Sequence, residues 1–126
     1  MKLSNSFFYT IRENAKDEDS VSGNLLVRAG MIKKSSSGIY MIMPMGKRVL
    51  QKIETIVREE MDATGAQELL MPVLIPEEVY EKSGRREAFG ANMFALKDRY
   101  QKRYVMGPTH EELFTIAATM KGSSYK

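Results

Sequence analysis

The change of hydrophobic period at Pro44 constrains the fold of this chain more than any other feature. Before it, Ile39 to Met43 is an apolar run of strand length. After it, Val49, Ile53, Ile56, Val57 and Met61 recur at helical spacing, and Lys47, Lys52, Glu54, Arg58, Glu59 and Asp62 fill the other positions. Proline has the fixed φ that suits the first position of a helix, and Gly65 supplies the stop. A strand followed by one long amphipathic helix is therefore expected from Ile39 to about Gly65.

The remaining segments alternate in the same manner. Glu13 to Ser20 has no apolar face and reads as a solvated loop. Ser22 is placed to cap a short helix carrying Leu25, Leu26 and Ala29, with Gly30 at its end. Lys33 to Gly38 reads as a loop, and Gln67 to Met71 as a buried strand stopped by Pro72. Pro76, Glu77 and Glu78 open another short helix that ends near Gly84, followed by a loop through Arg85, Arg86 and Gly90. Met93 to Lys97 and Arg103 to Met106 flank a polar turn, which predicts an antiparallel hairpin. A last helix runs from about Thr109 to Lys121, with Gly122 as its stop. Mixed strands and helices of this kind predict an α+β layer arrangement.

Composition excludes several kinds of chemistry. With 43% hydrophobic and 28% charged residues among 126, the chain has the make-up of an ordinary globular domain, and its length favours one domain with a modest core. The absence of cysteine rules out disulfides, thiolate zinc sites and thiol nucleophiles, and a single histidine rules out a multi-histidine metal site. The net charge of +3 is spread over interspersed basic and acidic residues, which permits nucleic-acid binding without indicating it. No apolar stretch is long enough for a signal peptide or a membrane span, so the expected location is cytoplasmic. The ten methionines read first as adaptable core filling. Ser35-Ser36-Ser37-Gly38 reads as a turn, since it lacks the spacing of a phosphate-binding loop.

The residues best placed for chemistry lie in Gly107-Pro108-Thr109-His110-Glu111-Glu112. Thr-x-x-Glu before an apolar run is a capping box, in which Thr109 and Glu112 satisfy each other's orphan backbone donors. A ligand ammonium, however, needs an ionised carboxylate and a neutral acceptor in fixed geometry, and Thr109 and Glu111 supply both. If the chain is extended after Pro108, these two face the same way and His110 faces the other. No nucleophile or orienting carboxylate is visibly assigned to His110 as a base. Arg85 and Arg86, in a Gly-flanked loop, are candidates for a phosphate or carboxylate contact, Arg85 above all. In the long helix, Lys47 and Arg48 near the start and Glu59, Glu60 and Asp62 near the end all oppose the helix dipole. An antiparallel copy across a two-fold axis would set the basic end against the acidic one, so a homodimer is expected.

Taken together, Ser4-Asn5-Ser6-Phe7-Phe8, Arg28-Ala29-Gly30-Met31-Ile32, Gly38-Ile39-Tyr40, Gly65-Ala66-Gln67-Glu68, Ser83-Gly84-Arg85 and the Gly107 to Glu112 stretch resemble the bacterial-type prolyl-tRNA synthetases of class II. The resemblance covers essentially the whole chain. It implies the N-terminal part of a class II catalytic domain over residues 1–126, an antiparallel sheet with flanking helices that is incomplete here. Motif 1 would span about residues 38–72, ending at Pro72, and would build the dimer interface through Lys47, Arg48, Glu59 and Pro72. The Thr-x-Glu loop at 107–112 would hold the proline amine through Thr109 and Glu111.

The same resemblance implies that motifs 2 and 3, the editing insertion and the anticodon-binding domain lie outside these residues. ATP and Mg2+ would then serve the longer enzyme, with no cofactor held by this chain alone, and tRNA(Pro) would be met elsewhere. No catalytic group is expected in this segment, and the chain by itself is expected to be inactive. Two other readings stay open: a non-catalytic synthetase-like module for dimerisation or protein interaction, and a small amino-acid-binding regulator with Arg85 as the partner for a ligand carboxylate.

Overall fold

A computed structural model describes residues 2–16 and 18–122; Asp17, in the first polar loop, lies outside the described residues. The chain divides into two compact units, Met1–Glu68 and Leu69–Lys126.

In the first unit, helix α1 (Val21–Arg28) starts two residues earlier than expected. Its cap is Ser20 rather than Ser22, and the Ser20 side chain accepts a hydrogen bond from the Gly23 amide. Glu18 selects that position, because its carboxylate accepts from both the amide and the hydroxyl of Ser20. The same carboxylate accepts from the Tyr40 hydroxyl at 2.6 Å, so this part of the polar loop is tied to the strand Tyr40 belongs to. Strands β1 (Ile32–Ser36) and β2 (Ile39–Ile42) form an antiparallel pair with a register shift between Lys34 and Ser36. The loop expected over Lys33 to Gly38 is thus mostly strand. A polar hairpin arm needs no apolar alternation when its partner strand supplies the backbone hydrogen bonds.

Helix α2 (Pro44–Ala63) follows β2 directly, with proline in its first turn. It buries none of its residues, and Val49, Ile53, Ile56, Val57 and Met61 remain 43 to 59% exposed along one stripe. Inside the chain, Lys47 reaches Glu54 at 3.8 Å and Arg58 grips Glu68 with two hydrogen bonds of 2.7 and 3.0 Å. Among the described residues, Arg48 and Glu59 make no ion pair.

The second unit is organised around a three-stranded antiparallel sheet in the order β3–β5–β4, formed by β3 (Leu74–Pro76), β4 (Ala95–Lys97) and β5 (Arg103–Met106). The hairpin is as expected, but the strand read over Gln67 to Met71 is not there. Leu69 and Leu70 are 52% and 99% exposed, and pairing begins only at Leu74, opposite Met106. Strand β3 leads straight into helix α3 (Glu77–Lys82), and a second short helix, α4 (Arg85–Phe89), replaces the expected loop. Helix α5 (Glu111–Thr119) closes the unit, shorter at both ends than the sequence pattern suggested.

Period two of the sheet places Ile75 opposite Val105 on the covered face, where both are fully buried with Tyr80 from α3 and Met93. Val79, Phe89 and Leu113 pack around this cluster. One charged side chain is buried with it: Glu77, 4% exposed, accepts from the Arg86 guanidinium and from Arg103 Nε at 2.5 Å. Arg103 also reaches Glu81 at 3.3 Å. A carboxylate buried this far is tolerated only when paired, and here the pairing binds α3, α4 and β5 to one another.

Candidate functional site

The Gly107 to Glu112 stretch connects β5 to α5 and is held from two sides. The Gly107 amide donates to the Val73 carbonyl at 2.9 Å, and the Tyr80 hydroxyl, rising from the core, donates to the Thr109 carbonyl. His110 reaches the Pro72 carbonyl through Nε2 at 3.0 Å. A carbonyl only accepts, so Nε2 carries the proton and cannot serve as a base. Pro72, expected at a dimer interface, is here exposed and engaged through its carbonyl.

Thr109 and Glu111 have a different partner from His110, although His110 itself, at φ −128° and ψ 20°, is not in the extended form the expected alternation required. Both meet Arg85: its Nη2 donates to Thr109 Oγ1 at 2.7 Å and its Nη1 to Glu111 Oε2 at 2.8 Å. Nη1 is shared with both oxygens of Glu112, at 3.1 and 3.2 Å, and Ser83 Oγ donates to Glu112 at 2.8 Å. The Arg85 guanidinium carbon stands 5.1 Å from the centre of the Phe89 ring. The neighbouring Arg86 points to Glu77 instead, so the two arginines of α4 serve separate clusters.

The capping box expected between Thr109 and Glu112 does not form. His110 is the residue at the N-cap of α5 and makes no side-chain cap bond, while Thr109 and Glu112 are both turned to Arg85. Glu112, Ser83 and Tyr80 are therefore parts of this arrangement that the sequence reading did not assign. Their signal lay in the adjacency of Glu111 and Glu112 and in the Ser83-Gly84-Arg85 run.

The electrostatics follow from these contacts. A hydrogen bond from the Thr109 hydroxyl, the Arg85 guanidinium and a backbone amide together pull the Glu111 carboxyl from its ordinary 4.5 down to about 2. Arg85 is held above its ordinary value, chiefly by its bond to Glu111. The cluster sets two carboxylates against one guanidinium. It opens onto a hollow of about 460 Å³ whose other walls include Val79, Lys82, Thr115 and Ile116. The chemistry this arrangement supports is the capture of a cation by an ionised carboxylate beside a hydroxyl.

Among the described residues no three His, Cys, Asp or Glu side chains stand together as a metal ion would require, and no helix is long and apolar enough to cross a membrane.

No family model matches the chain. Proline–tRNA ligases do: that of Caldicellulosiruptor bescii is 49% identical over 126 residues, all of this chain and 22% of the relative. The Coprothermobacter proteolyticus ligase is 48% identical over the same length, 23% of that relative, and the Corynebacterium diphtheriae ligase 50% identical over 125 residues, 21% of it. Among solved structures, the RNA-binding domain of threonyl-tRNA synthetase from Cryptosporidium parvum superposes with a TM-score of 0.73 at 20% identity, covering 80% of this chain and 26% of that one. At that identity the likeness speaks to the fold alone, a mixture of helices and small antiparallel sheets. Along its whole length, then, the chain is homologous to the N-terminal part of the proline–tRNA ligases and spans about a fifth of their length.

Proposed function

We propose that this chain supplies the amine-binding half of the proline pocket of a proline–tRNA ligase. The observation that supports it most directly is the Thr109 hydroxyl and Glu111 carboxylate turned to one side and already coordinating a cation, Arg85. In this reading residues 1–126 are the first part of a class II catalytic domain. The whole enzyme joins proline to ATP with Mg2+ and passes it to tRNA(Pro), through parts that these residues do not supply. Arg85 is a positive group beside the amine site and the contact we assign to the ligand carboxylate. Calorimetry of proline binding to the native gene product and to Glu111→Ala tests the reading. The variant should bind at least about tenfold more weakly, the loss of one charge-assisted interaction. Equal heats from both proteins would remove Glu111 from the site.

The pH dependence of that binding follows from the sign of the Glu111 shift. A carboxyl whose folded value lies below its ordinary one contributes fully above about 4.5 and is lost only as the pH falls through about 2. Proline affinity is therefore expected to hold between pH 7 and pH 4, where an unperturbed carboxylate would already be failing. A decline centred near 4.5 would show that Thr109 and Arg85 do not stabilise the ionised form.

Helix α2 favours a further part of the proposal, a homodimer. Its apolar stripe is uncovered, and its basic start and acidic end match an antiparallel copy of itself. A dimerisation or protein-interaction module without catalysis would use the same surface, so the dimer test addresses both readings. Light scattering should give a dimer at micromolar concentration. Lys47→Glu with Arg48→Glu should weaken it by about tenfold or more, and adding Glu59→Lys with Glu60→Lys should restore it. Failure of the second pair to rescue the first would overturn antiparallel pairing through α2.

A further inference from the structure

Arg85 occupies the two acceptors assigned above to a ligand amine. Its Nη2 takes the Thr109 hydroxyl and its Nη1 the Glu111 carboxylate, at 2.7 and 2.8 Å, distances that an incoming ammonium would itself need. While Arg85 stays, the hydroxyl lone pair and the Glu111 Oε2 position it holds are closed to an ammonium, which is left with part of the pair's acceptor capacity. We infer that Arg85 is an internal competitor for the amine site, a cation whose release from Thr109 and Glu111 opens their full set of acceptors to a ligand amine. The inference rests on the amine-site reading and adds to it a gate.

Two features keep the guanidinium held when it lets go of Thr109 and Glu111. Nη1 is shared with Glu112, whose side chain is only 8% exposed and is fixed by Ser83, so this second anchor stays in place when the first is released. The Phe89 ring lies 5.1 Å from the guanidinium carbon and offers a face on which the cation remains stabilised. After the shift, Nη2 is freed beside the bound ligand and can donate to an anionic group on it. The gate thereby favours ligands that carry an amine and a carboxylate together, since only these compensate both the vacated seat and the released donor. A simple amine meets the cost of displacement with no return from Nη2.

Displacement lowers the apparent affinity by the fraction of time the seat is free, and removing the competitor recovers it. The test titrates the native gene product and Arg85→Met with L-prolinamide, which keeps the amine and lacks the carboxylate, and with proline. Arg85→Met should bind L-prolinamide about tenfold more tightly, with a smaller gain for proline because the cation facing its carboxylate is also gone. In Arg85→Ala, added methylguanidinium should refill the seat and compete with L-prolinamide. In the unmutated protein, the side-chain NMR signals of Arg85 should move at saturating ligand, a readout that needs no variant to fold. Affinity for L-prolinamide that is unchanged or weaker in Arg85→Met, or Arg85 signals that stay fixed at saturation, would overturn the gate while leaving the amine site standing if Glu111→Ala still loses binding. Undiminished binding by Glu111→Ala would instead remove the amine site and the gate with it.

Discussion

Replacing Tyr80 with alanine is expected to destabilise the second unit by about 3–5 kcal/mol, the range for truncating a fully buried aromatic. The ring is one of the few side chains that make up this core, packed with Ile75, Met93 and Val105, so its loss leaves a cavity at the centre rather than at an edge. The hydroxyl adds a second effect. It holds the Thr109 carbonyl, and with it the turn that aims Thr109 and Glu111 at Arg85. Tyr80→Phe keeps the packing and deletes that bond, at a cost of about 1–3 kcal/mol for a carbonyl left without its donor. The two variants should thus separate stability from site geometry. The alanine variant lowers the urea midpoint of the second unit sharply. The phenylalanine variant lowers it less but weakens amine binding out of proportion. A cost below about 1 kcal/mol for Tyr80→Ala would show that the cluster is not the unit's core.

Helix α2 and the β4–β5 hairpin were legible in the sequence because local pattern and final environment agree there. Pro44 and Gly65 mark the ends of one, and the polar Asp98 to Lys102 turn marks the other. Gln67 to Met71 misled for the opposite reason. An apolar run states that burial is favourable but not what will cover it, and the partner strand β5 pairs further along, from Leu74. Strand β1 was hidden by its serines and lysines, since an exposed arm is held by backbone bonds that carry no side-chain signature.

At the site, the expected division of Thr109 and Glu111 from His110 appears in their partners, but it arises at a helix start and not from the extended chain that alternation assumed. Which carboxylate each arginine would meet was not readable. Adjacent residues on a helix diverge by about 100°, so once Arg85 and Arg86 form part of α4 they address different neighbours, Glu111 with Glu112 and Glu77. A reading that left them in a loop had no angle to work from. The capping box failed in a related way: the pattern Thr-x-x-Glu fits a helix terminus by spacing alone, while the Arg85 guanidinium competes for both of its side chains.

Substituting Gly30 with alanine is expected to cost the first unit about 2–5 kcal/mol, and comparison with Gly46→Ala shows why. At both positions an added Cβ would stand 2.2 Å from a backbone carbonyl oxygen, that of Tyr9 for Gly30 and that of Met31 for Gly46. Relieving such a contact means moving backbone, at about 1–3 kcal/mol. The two sites differ in conformation. Gly30 has φ +64°, where a Cβ adds about 1–2 kcal/mol of strain, whereas Gly46 lies within α2, where alanine returns about 1 kcal/mol of helix propensity. Gly30→Ala should therefore be the more damaging by about 2 kcal/mol or more, in urea unfolding followed by NMR at residues of the first unit. The consequences for assembly should run the other way. Gly46→Ala displaces the start of α2, beside Lys47 and Arg48, and should weaken a dimer built on that helix more than its small effect on stability would suggest. Equal losses of stability from the two substitutions would show that the carbonyl contacts dominate and that the left-handed conformation at Gly30 carries little of the cost.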